Sequence, residues 1–118
     1  MTTKKRAVDL LAESFDISER KKFEVKNEQG EVVLDLYFKA ITRADRKRAA
    51  KMTETDDPLE VSTQMLCQMA ELEDGSKAFQ SGDAIKLQRE LPENVLNEIE
   101  LFLFGLDPEG VIQKAKKD

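Results

Sequence analysis

Histidine is absent from this chain, and with it the side chain that most often serves as general base or metal ligand near neutral pH. Cysteine occurs once, as Cys67. A lone cysteine forms no intrachain disulfide, a usage that fits a reducing cytoplasm. With no histidine to activate its thiol, Cys67 reads as a small buried hydrophobe on a helix. The five glycines are scattered, so no glycine-rich loop is available to cradle a phosphate. Tryptophan is missing too, and no apolar run approaches the ~18–20 residues of a membrane-spanning helix. The opening stretch, MTTKKRAVDLLAESF, has a broken apolar patch and no small-residue cleavage site, which argues against a signal peptide. There is no internal repeat of ~20–50 residues and no low-complexity tract.

What is present is charge. Hydrophobic residues make up 40% of the chain and charged residues 36%, around a formal net charge of −5. That describes a globular protein with a modest core and a very charged exterior. At 118 residues, one domain spanning 1–118 is expected, burying roughly two-thirds of its unfolded surface. The charge is uneven. Residues 1–53 carry net +4, residues 54–109 net −11 and residues 110–118 net +2. A molecule with one basic and one acidic part can meet copies of itself head to tail, or hold a charged partner in a fixed orientation. The plainer alternative is a solvated surface with no partner.

Periodicity predicts an α+β, mainly α fold: an N-terminal β-hairpin over about 23–41, then a compact bundle of four to five helices. Residues 1–20 form an N-terminal helical segment, with Ala7, Val8, Leu10, Leu11 and Phe15 at mostly helical spacing. Arg20–Lys22 is a basic lead-in to a strand in which Phe23 and Val25 alternate with polar residues. Asn27-Glu28-Gln29-Gly30 reads as the turn, with Gly30 taking the positive φ that closes it. The return strand, Val32–Ile41, puts Leu34, Leu36, Phe38 and Ala40 on one face. Thr42 and Asp45 form a capping box for the next helix, and Asp57-Pro58-Leu59-Glu60 forms another. The helix from Pro58 to Leu72 offers Leu59, Ser62, Met65, Leu66, Met69 and Leu72 along one face. A short helix follows Ser81-Gly82-Asp83, and the last starts at Leu91-Pro92-Glu93 with Val95, Leu96, Ile99, Phe102, Leu103 and Leu106 as its stripe. The segment 110–118 is polar and basic and is expected to fray.

The surface with the most character is the helix after the hairpin. Thr42–Lys51 carries Arg43, Arg46, Lys47, Arg48 and Lys51 against a single acid, Asp45. Arg43, Arg46, Lys47 and Lys51 fall on one side and are the candidate partner-binding residues, with Met65 and Met69 as a second, apolar candidate set. Met65 and Met69 lie one helical turn apart and would suit either a pliable groove or a core. The basic helix suits phosphate contacts, which makes a small nucleic-acid-binding regulator the alternative reading. The acidic total, the lack of interleaved aromatics and the lack of a second helix at helix-turn-helix spacing stand against it. A hydrolase built on Asp56, Asp57, Glu60, Glu71, Glu73 and Asp74 would need a cleft that separates their pKa values, and Glu73 and Asp74 lack calcium-loop spacing. No catalytic residue, metal or cofactor is expected.

The order of these signals carries a resemblance. A hairpin ending in FKAITRADRKRA, the acidic helix DDPLEVSTQMLCQMAE and the run AFQSGDAIKLQRELPENVLNEI follow one another between about Phe23 and Leu106. This resembles the tail assembly chaperones of long, non-contractile-tailed bacteriophages and their prophage relatives. The resemblance rests on packing and capping patterns and brings no functional residue with it. It implies a non-enzymatic protein of the infected host's cytoplasm that is absent from the mature virion. Such a protein binds the tape measure protein and keeps it soluble while tail tube subunits assemble around it. It also implies a longer form made by ribosomal frameshifting that recruits the major tail tube protein, with this chain as the shorter form. The ending Lys114-Ala115-Lys116-Lys117 is compatible with an A-rich slippery run, and an overlapping downstream frame in the coding DNA would identify it. Self-association into an oligomer is expected from the charge halves, and contact with a membrane is not.

Overall fold

The computed structural model describes residues 6–106; the 110–118 tail, with its expected fraying, lies outside them. The elements run α1 (Ala7–Ser14), β1 (Arg20–Lys26), β2 (Val32–Lys39), α2 (Arg43–Thr53), α3 (Pro58–Met69), α4 (Asp83–Glu90) and α5 (Glu93–Leu103). The fold is α+β and mainly α. One antiparallel hairpin is followed by four helices, with α1 ahead of it.

The hairpin pairs Phe23 with Leu36 and Arg20 with Lys39. The basic residues Arg20–Lys22 are therefore strand rather than lead-in, because they continue the ladder opposite Tyr37, Phe38 and Lys39. At the turn, Asn27 Oδ1 accepts from the N–H groups of Gln29 and Glu31 at 3.0 and 2.9 Å. Gly30 takes φ 83°, a conformation that favours a residue without Cβ. Leu36 and Phe38 point into the core as the alternation predicts, but Leu34 and Ala40 are exposed. Val32 and Val33 are exposed as well. The core meets the hairpin at Phe23, Val25, Leu36 and Phe38, and β2 buries no side chain on the turn side of Leu36.

One feature of the sheet was not expected. After α3, the Glu71 N–H donates to the Tyr37 carbonyl at 2.9 Å and the Tyr37 N–H donates to the Glu71 carbonyl at 2.8 Å. A single residue thus acts as a third strand on the outer edge of β2. Arg20 locks it there: its guanidinium donates to the carbonyls of Leu72 (3.0 Å) and Glu73 (2.8 Å), contacts Glu71 Oε1 at 3.3 Å and stacks on the Tyr37 ring. This pairing is why α3 ends at Met69 instead of running to Leu72.

Thr42 and Asp45 form a complete capping box at the start of α2, each side chain accepting from the other residue's backbone N–H. α2 closes on Glu54, a non-glycine residue in the left-handed region at φ 57°. At α3, Asp57 caps through Leu59 N–H at 2.9 Å and Pro58 opens the helix. Glu60 makes no return bond; it is exposed. α3 is the central helix, with Val61, Thr63, Gln64, Met65, Leu66 and Cys67 all buried. A helix buried over most of its circumference has no single apolar stripe, and Leu59, expected on that stripe, is 65% exposed. The core joins Leu36 and Phe38 of the hairpin to Ala49, Met65, Leu66, Ile99 and Leu103. Phe102 of α5 sits between Phe23 (centroids 4.9 Å) and Phe38 (5.9 Å). α1 contributes nothing to this core: Val8, Leu10, Leu11 and the adjoining Phe15 and Ile17 are all more than half exposed.

Candidate functional site

The capping box fixes where α2 begins and therefore how its cations are phased. Ala49 turns inward, and Gln68 of α3 donates to the Asp45 carbonyl at 3.0 Å, which sets the outward face. Arg48 is tied within its own helix to Asp45 at 2.7 Å. Burial pushes the Asp45 carboxyl up, but the bonds from Thr42 and Arg48 outweigh that and leave it below the usual carboxylate range. Arg46 lies over the Phe104 ring, 5.5 Å from its centroid, a cation–π contact that holds it against the end of α5. Arg43, Lys47 and Lys51 are exposed. Among the described residues, none of these three has an ion-pair or hydrogen-bond partner for its side chain. The candidate set thus divides. Arg46 is spent on packing, while Arg43, Lys47 and Lys51 stand at four-residue spacing as one unpaired stripe. No acid of the described second half forms an ion pair with it.

The methionine pair does not form a surface. Met65 is fully buried in the core. Met69 is half-buried and packs against the same cluster. Met65 lies wholly within the core cluster, so in the folded chain it is closed to a partner. Cys67 is buried as expected. Burial first, then the negative charges of Asp83 and Glu100, push its thiol up to about 12, so it stays protonated and poorly nucleophilic.

The second surface feature lies between the start of α3 and α5. There a groove of about 500 Å³ is lined by the acids Asp57, Glu60, Glu93 and Glu100 and by Leu59, Leu91 and Leu96. Glu100 is only 7% exposed. Its Oε2 accepts from the Thr63 hydroxyl at 2.7 Å, and Gln88 Nε2 donates to the same hydroxyl oxygen at 3.2 Å. Burial raises the Glu100 carboxyl above its ordinary value, with the Thr63 bond pulling partly the other way. No cation among the described residues pairs with it. Nothing local in the sequence separates Glu100 from Glu98; only Thr63, far away in the chain, does.

Among the described residues, no group of three or more Cys, Asp and Glu is placed to hold a metal ion, and no helix is long and apolar enough to cross a membrane. The acids weighed for a hydrolase are dispersed, as surface and capping residues are. Asp57 caps α3, Glu71 pairs with Arg20 and Lys39, and Asp74 caps its own turn through Ser76. Set beside models of known protein families, curated proteins and solved structures, the chain matches none.

Proposed function

We propose that this protein is a non-enzymatic tail assembly chaperone of a long-tailed phage or prophage, which holds a long apolar client in solution during assembly. The observation that carries the reading is α1. A protein that leaves Val8, Leu10, Leu11, Phe15 and Ile17 more than half exposed on one helix and its exit has apolar surface to offer a client. Its dense surface charge supplies solubility to the complex. The sequence resemblance supplies the identity of the client, the tape measure protein. It also supplies the setting, the host cytoplasm before the virion is complete, and the link to the major tail tube protein through a longer frameshifted form. Several copies along one client would act together, which is where self-association enters.

Co-expression tests this. Alone, the tape measure protein is expected in the insoluble fraction; with the chain it becomes soluble and co-purifies. The Leu11→Glu, Phe15→Glu variant keeps its fold and loses the effect. A client that stays insoluble beside well-folded wild-type chain counts against the reading. The unpaired Arg43, Lys47 and Lys51 stripe is the one observation that favours a nucleic-acid-binding regulator instead. That reading requires duplex DNA to be retained at physiological salt and lost on Arg43→Glu plus Lys47→Glu.

A further inference from the structure

Among the described residues, the stripe and the groove each lack a partner of opposite charge, and they lie on different sides of α3. Gln68 faces α2 and Thr63 faces α5. We propose that the α3–α5 groove of one copy receives the Arg43–Lys47–Lys51 stripe of a second copy, giving a head-to-tail contact. This deepens the self-association in the functional reading, yet it is tested on the purified chain with no client, so the two can fail separately.

Three observations carry it. First, the lengths agree. Arg43 to Lys51 spans about 12 Å along α2, and Glu93 to Glu100 spans about 10 Å along α5, at 1.5 Å per residue. Second, the groove's acids are not all explained by helix ends. Asp57, Glu60 and Glu93 sit in the first turns of α3 and α5, where the helix dipole favours an anion anyway. Glu100 sits well inside α5, is almost wholly buried and lines the groove, and its Oε1 accepts no hydrogen bond among the described residues. A buried carboxylate without a cation is costly, and a lysine or arginine entering the groove removes that cost. Third, the apolar parts fit: Leu59 stands exposed at the groove, and exposed Ala44 and Met52 flank the stripe. Two different patches meet, so the contact is heterologous and continues into a ring or an open chain of copies.

The test is charge reversal with reconstitution, read by sedimentation velocity at low salt. The wild-type chain is expected to form oligomers that dissociate between about 0.02 and 0.5 M salt, as screening of exposed charge requires. The basic variant Arg43→Glu, Lys47→Glu, Lys51→Glu and the acidic variant Glu60→Lys, Glu93→Lys, with Glu100 untouched, should each associate roughly tenfold or more weakly. Mixed, the two should associate again as alternating copies, since the unchanged stripe of the acidic variant fits the unchanged groove of the basic variant and the two reversed patches match each other. All five positions are surface residues, and circular dichroism establishes that both variants are folded. A wild-type chain that stays monomeric at low salt overturns the proposal. So does a basic or acidic variant that associates as the wild type does, or a mixture that remains two monomers.

Discussion

Glu100 shows how much one side chain can depend on what crosses the fold. Its neighbours in sequence, NEIELF, are ordinary for an amphipathic helix. Its setting is made by Thr63 and Gln88 from two other helices. Because folding raises its pKa, the ionised form is the one the fold disfavours. Below the ordinary carboxylate range Glu100 is protonated whether folded or unfolded, and the penalty vanishes. Above its raised folded value the penalty is fully present. Glu100→Gln, which keeps a hydrogen bond to Thr63, is therefore expected to raise Tm near neutral pH by roughly a few degrees. That gain should shrink to nothing on acidification toward about pH 3.5, below the ordinary glutamate value. Thermal unfolding of both proteins at the two pH values decides it, and an equal difference at both would mean that charge is not the cause. The same dependence on distant partners explains why the site was only half legible. Arg43, Lys47 and Lys51 were readable as an exposed basic stripe from helical spacing alone. That Arg46 leaves the stripe for Phe104, and that Met65 is core, required knowing where α5 and the hairpin lie.

At the scale of elements, local chemistry was the readable part. The Asn27–Gly30 turn, the Thr42–Asp45 box and Pro58 at the start of α3 are each written within a few adjacent residues, and each stands where expected. What joins elements was not readable. A strand of one residue, Glu71, has no periodicity to detect, and Arg20 resembles any basic residue near a strand. Yet Arg20 ties the hairpin to the segment after α3 through two carbonyls and one carboxylate. Arg20→Ala is expected to cost about 1–2 kcal/mol, the lower part of the range for hydrogen bonds to charged groups, because its side chain is 28% exposed. Arg20→Lys should recover little, since an ammonium cannot supply the fork that reaches all three acceptors. Urea unfolding of the three proteins provides the comparison. Full rescue by lysine would reduce the strap to a simple charge effect.

The whole molecule is unevenly held together. Its radius of gyration is 16.8 Å, against about 13 Å for a compact chain of ~100 residues. α1 and the hairpin tip contribute no fully buried residue to the core. α3 and the Leu36–Phe38 segment are enclosed on several sides, while α1 and residues 27–34 depend on their own backbone bonds. Helices as short as α1, with 8 residues, are marginal in water without packing, so local opening there should be nearly free. Hydrogen exchange of the chain alone, in high salt to suppress contacts between copies, is expected to proceed in a fixed order. Amides of α1 and of the turn exchange first, those of β1 and α4 later, and those of α3 and of Leu36–Phe38 only on global unfolding. Slow exchange in α1 under these conditions would mean that the helix is held by the body after all. The functional reading adds a second condition. If the exposed face of Val8, Leu11 and Phe15 is the client surface, adding soluble client complex must protect α1 selectively, by stabilising the helical state that alone presents that face. Protection that spreads evenly over the molecule, or leaves α1 unchanged, would separate the client surface from α1 and leave the apolar helix without the role proposed for it.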